Sequence, residues 1–198
     1  WVARIVGGGL EVIGTVDLRA VARNSSGLAW SPAAGPCPAP IRSVLPVVGA
    51  SRPVLVRLGC RTHLVLVYQA GGGIWLSESW TNGQETSWGA WSEPMRLASN
   101  CSLLAAAAAP DGGALYLVVK RGDVVCRARC PREFVDGQAV YREATPEPMQ
   151  LADGDGFPNV PDQLHHLFLQ GGNAIFVADA GQAVDAYVSD DDLRTWRD

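Results

Sequence analysis

The chain has 198 residues, 47% hydrophobic and 18% charged, with 16 Lys and Arg against 20 Asp and Glu for a net charge of −4. This is a globular makeup, and it excludes disorder, collagen and coiled coil. Lys120 is the only lysine, the arginines form no block, and no apolar run approaches the ~20 residues of a membrane-spanning helix. Neither nucleic acid nor membrane insertion is expected. The 22 Gly and 13 Pro lie between short Val- and Leu-rich runs, a pattern of short strands and frequent turns that predicts an all-β fold.

Along the chain one pattern recurs four times: an apolar strand, a Gly or polar turn, an alternating strand, and a polar loop closing on an aromatic residue. The copies span 10–30, 64–88, 114–141 and 174–196, and their first strands begin at Leu10, Leu64, Leu115 and Ile175. They close at Trp30, Trp88, Tyr141 and Trp196, so both landmarks repeat every 51 to 60 residues. A further apolar segment precedes each copy, at 1–6, 52–58, 102–109 and 163–170; one follows each of the first three, at 41–48, 94–98 and 139–144. The alanine run at 103–109 has helix propensity, but Pro110-Asp111-Gly112 turns directly into a strand pattern, so a strand is predicted. Four strands in each repeat of roughly 55 residues match a β-propeller blade, whose faces are buried by its neighbours.

The loops that close the repeats carry a resemblance. The octet at 189–196, SDDDLRTW, resembles the Asp-box, Ser-x-Asp-x-Gly-x-Thr-Trp, of sialidase-like β-propellers, with Leu193 in place of the usual glycine. The octet at 23–30, RNSSGLAW, keeps the glycine and Trp30 with Ser25 at the aspartate position, and 81–88 keeps Thr81, Ser87 and Trp88, with Trp91 as a rival alignment. The phrases AWSP (29–32), AWSEP (90–94), SRPVLVRL (51–58) and FPNV (157–160) resemble flanking blade segments. The resemblance covers nearly the whole chain. It implies a propeller of four-stranded antiparallel blades, approximately 1–50, 51–99, 100–148 and 149–198, as part of a six-bladed ring. Its structural box positions are Trp30, Trp88, Ser189, Asp191 and Trp196. In such a box the acidic side chain accepts backbone N–H bonds and the tryptophan wedges between sheets.

The same resemblance sets a catalytic requirement: an arginine triad for a substrate carboxylate, an aspartic acid as proton donor and a Tyr-Glu nucleophile. Planar guanidinium groups suit carboxylates because they bind them through two parallel hydrogen bonds. Arg4 and Arg52 are the arginine candidates and Asp17 the acid candidate, but the family's Phe-Arg-Ile-Pro phrase and its Arg/Asp-rich loop are missing. Tyr68, Tyr116, Tyr141 and Tyr187 fall at regular strand or box positions, and no Tyr-Glu pair stands out.

His63, His165 and His166 lack zinc spacing, and no cofactor is implied. Asp153 and Asp155, or Asp190 to Asp192, offer oxygens to Ca²⁺, though neither stretch has the six ligands a calcium loop needs. Cys37, Cys60, Cys101, Cys126 and Cys130 lack metal spacing and predict one or two disulfides with a leftover thiol. Cys126 and Cys130, four apart on a strand, are ~13 Å from each other and do not pair. Asn24 and Asn100 begin glycosylation sequons in predicted loops, which with the cysteines points outside the cytoplasm, to a secreted or cell-surface glycoprotein.

These features predict a non-catalytic extracellular propeller, a binding or structural module for a glycan or protein partner in a surface assembly. The alternative is a sialidase-like glycoside hydrolase whose remaining catalytic residues lie outside this segment. A third reading is a lectin in which Trp75 and Trp80 stack on sugars. The chain begins at Trp1, without an initiator Met, and the fourth repeat lacks an outer strand. Further polypeptide or a partner chain is therefore expected to complete the ring.

Overall fold

The computed structural model describes residues 2–6, 9–14, 41–45, 47–58, 63–80, 90–179 and 183–198, and among these it holds seventeen β-strands and no helix. The first sheet contains β1 (Val2–Val6), β2 (Gly9–Gly14) and β3 (Ile41–Leu45) in that order; the second is β4 (Ser51–Arg57), β5 (His63–Ala70), β6 (Gly73–Trp80) and β7 (Met95–Ser99). The third has β8 (Ser102–Ala108), β9 (Ala114–Arg121) and β10 (Val124–Val135), with β11 (Gln138–Tyr141) and β12 (Glu147–Pro148) both on β10. Between the third and fourth sheets comes β13 (Gln150–Leu151). The fourth consists of β14 (His166–Gln170), β15 (Asn173–Asp179) and β16 (Val184–Ser189), followed by β17 (Thr195–Trp196), which pairs in parallel with β13. All other pairings are antiparallel, so the all-β expectation holds.

Local sequence explains the hairpins. Gly71 and Gly72 join β5 to β6 with φ of +55° and +74°, and Gly171 and Gly172 join β14 to β15 with +59° and +87°. Two consecutive left-handed residues make the turn whose twist matches that of paired strands. The alanine run forms strand β8, because Leu103 to Ala106 are buried on both faces and a two-sided core overrides helix propensity.

The sheets stack, with apolar side chains filling each gap. Leu10, Val12 and Leu45 of the first sheet meet Leu64, Leu66 and Tyr68 of the second. On the opposite face of the second, Val65, Val67, Ile74 and Leu76 meet Leu103, Leu115 and Leu117 of the third. The far face of the third, with Leu104, Ala105, Val118 and Val125, meets Leu167, Phe176, Tyr187 and Trp196. The opening strands lie in succession: β1 against β4, β4 against β8, and β8 against β14. His165 N donates to Leu104 O at 2.7 Å across the last of these contacts.

One expectation is corrected. The segment at 139–144 is not a simple outer strand of the third sheet. With twelve residues, β10 serves two partners: 132–135 pair with β11, while Cys126 and Arg127 pair with β12. The fourth sheet has three strands, and Arg197, just past β17, forms only an isolated bridge to Val188 of β16.

Candidate functional site

The loop from β16 to β17 is held by one carboxylate. Asp191 Oδ1 accepts from Ser189 Oγ at 2.9 Å, Arg194 N at 3.1 Å and Thr195 N at 2.9 Å, while Oδ2 accepts from Thr195 Oγ1 at 2.7 Å. Burial, the largest single influence, pushes its pKa up, but the hydrogen bonds from Thr195, Ser189 and Arg194 together hold it below the usual carboxylate value. Trp196 is fully buried, with Nε1 donating to Leu193 O at 3.0 Å, and its ring packs edge-on to Phe157 and Phe176. Leu193, at the position where the Asp-box has glycine, has the glycine-like φ of +65°. A non-glycine residue there costs ~1–2 kcal/mol, which the burial of its side chain offsets.

Beside this loop a cleft of about 320 Å³ opens between the third and fourth sheets, lined by Ala109 to Asp111, Tyr116, Leu169, Gln170, Gly172 to Ala174, Asp192 and Leu193. Its polar groups come from four places: the β8–β9 turn, strand β9, the facing ends of β14 and β15, and the loop after β16. The Tyr116 hydroxyl donates to Asp192 Oδ1 and accepts from Arg129 Nε at 3.2 Å. Burial, then the Asp192 carboxylate, pushes the Tyr116 phenol up. Arg127 braces the same loop from behind, donating to Asp192 O at 3.0 Å.

The candidate arginines are occupied within the protein. Arg4 pairs with the buried Glu11, Nη2 to Oε2 at 2.7 Å. Arg52 lies in a β-bulge with φ +51°, and the bulge sends its guanidinium across to the third sheet. There it donates to Leu103 O at 3.0 Å, to Asp162 Oδ1 at 2.7 Å and to Asp162 O at 2.7 Å. This bonding lowers the pKa of Asp162. Asp17, Asn24, Trp30, Trp88, Cys37 and Cys60 lie outside the described residues. Asn100 is exposed in the turn between β7 and β8, at φ +55°.

Other candidates have structural partners. Asp190 pairs with Arg197 at 2.6 Å, Asp191 with its own loop and Asp192 with Tyr116, while Asp153 caps Asp155 N at 3.0 Å. Among the described residues no His, Cys, Asp and Glu cluster is placed to hold a metal. His165 is fixed in the core, Nδ1 accepting from Asp179 N at 3.1 Å and Nε2 lying 2.9 Å from Pro161 O. The disulfide expectation is corrected for Cys101, Cys126 and Cys130, which are buried free thiols. Burial pushes Cys101 up to about 11 and Cys130 to about 12. Trp75 is half-buried, its Nε1 donating to Ala70 O at 2.9 Å, and it packs against the first core rather than standing free.

Sequence reasoning missed a buried ionisable group. Glu78 Oε1 lies 3.3 Å from His63 Nε2 and 3.7 Å from Arg132 Nε, with its side chain 1% exposed. Among the described residues, no hydrogen bond of ordinary geometry reaches either carboxylate oxygen. Burial first, then the Glu78 carboxylate, pushes Tyr141 far above the ordinary phenol range. This group joins the β10–β11 hairpin to the second sheet. The available signal was phase: Glu78 shares the alternation of Ile74 and Leu76, both core residues.

No protein family, curated protein or solved structure matches the chain.

Proposed function

We propose that the chain is a segment of an Asp-box β-propeller that acts outside the cell as a non-catalytic binding or structural module, with a glycan or protein as partner. The observation that carries this reading is the Asp191 clasp, which closes on a tryptophan wedged between the third and fourth sheets. The side-by-side opening strands are consistent with blades around a common axis. The outward face of the fourth sheet fits a further blade. Phe168, Ile175 and Val188 form a cross-strand apolar row there, exposed by 55, 41 and 39%, whereas both faces of the second and third sheets are packed. Engagement of Arg4 and Arg52 by protein carboxylates argues against their holding a substrate carboxylate. The exposed Asn100 sequon fits an extracellular setting.

A fluorogenic sialoside separates this reading from the hydrolase one. The expected result is no turnover, with saturable binding on a glycan or surface-protein array. Turnover abolished by Arg52→Ala or Arg4→Ala refutes the module reading.

A further inference from the structure

We propose that the cleft between the third and fourth sheets binds an uncharged, hydroxyl-rich ligand, a neutral hexose or short polyol, and rejects acidic sugars. The inference deepens the binding-module reading and rests on it. At about 320 Å³ the cleft is at the small end of ligand pockets and fits one sugar ring. Ala109, Pro110 and Leu169 supply apolar surface for the C–H face of a ring. Around them stand the amides of Gln170 and Asn173, which both donate and accept, and the carboxylates of Asp111 and Asp192, which accept only. Vicinal hydroxyls complement such a mixture, because each can donate to a carboxylate while accepting from an amide.

The cleft is also preformed. The Tyr116 hydroxyl is held between Asp192 and Arg129, Asp111 is fixed by accepting from Gly113 N at 2.9 Å, and Arg127 braces the Asp192 loop. Fixed partners reduce the ordering cost of binding. Among the described residues no basic side chain lines the cleft: Arg129 is engaged by the Tyr116 hydroxyl, and Arg127 by Glu147 and by Asp192, whose Oδ2 lies 3.7 Å from its Nη1. A ligand carboxylate would face two acidic groups with no guanidinium to receive it. The residues of the cleft therefore select against a sialic acid.

Titration calorimetry and ligand-observed NMR on the whole chain test this with methyl hexopyranosides and N-acetylneuraminic acid. The expected result is saturable binding of at least one methyl hexoside with Kd on the order of 1 mM, and binding of N-acetylneuraminic acid about tenfold weaker or undetectable. Asn173→Ala, at the exposed start of β15, and Asp111→Asn, in an exposed turn, should each weaken the hexoside about fivefold with unchanged melting temperature. Equal or tighter binding of N-acetylneuraminic acid overturns the proposal, as does absence of hexoside saturation. Binding that survives both substitutions places the ligand elsewhere, overturning this inference and leaving the module reading intact. Arg52-dependent sialoside turnover instead overturns the module reading.

Discussion

Replacing Asp191 by alanine removes the acceptor of four donors at once: the Ser189 hydroxyl, the Arg194 and Thr195 amides and the Thr195 hydroxyl. A hydrogen bond to a charged acceptor contributes ~1.5–3 kcal/mol when desolvated. This loop is partly exposed and its donors regain water, so about 0.5–1 kcal/mol each is the better figure, or ~2–4 kcal/mol for the set. Urea denaturation followed by tryptophan fluorescence should show that loss at pH 7 as a lower midpoint with unchanged slope. Asp191→Asn, which keeps one acceptor oxygen, should recover part of it. The effect also has a defined pH dependence. The native carboxyl is depressed, so the folded chain binds this proton more weakly than the unfolded chain, whose value is about 3.9. The stabilisation is fully present above that value and disappears as pH falls through the native one. The gap between wild type and D191A should therefore narrow below about pH 4. A loss under about 0.5 kcal/mol at pH 7, or a gap that persists unchanged in acid, refutes the clasp as a source of stability.

Trp196→Ala should cost ~3–5 kcal/mol by the same measurement, because the ring fills the gap between two sheets; a loss under about 1 kcal/mol contradicts that placement. Leu193→Gly relieves the left-handed backbone but empties a buried site, and the balance predicts a net loss of ~1–3 kcal/mol rather than the gain expected from backbone strain alone. Cys101 and Cys130, with pKa values raised to about 11 and 12, should react with a thiol reagent at pH 8 only as fast as the chain opens, read by mass mapping; immediate labelling of native protein refutes their burial. Asn100 should carry a glycan in material from a eukaryotic secretory pathway, and an unmodified Asn100 peptide removes that support for an extracellular setting.

What the sequence determined by itself is what lies within a few residues. The paired glycines at 71–72 and 171–172 and the short apolar runs that flank them placed β5, β6, β14 and β15, since turn handedness is a local property. The Asp191 clasp was legible for the same reason, with every donor within four residues of its acceptor. Glu78 was half-legible: its phase marks it as a core residue, but nothing near it in sequence indicates Arg132 or Tyr141. The tertiary structure alone decided where Arg52 goes, because a bulge re-aims it at Asp162, 110 residues away. It also brought Tyr116 to Asp192 across 76 residues and gave β10 a second partner at its far end. Those contacts depend on how neighbouring sheets stack and twist, and no local periodicity carries that information.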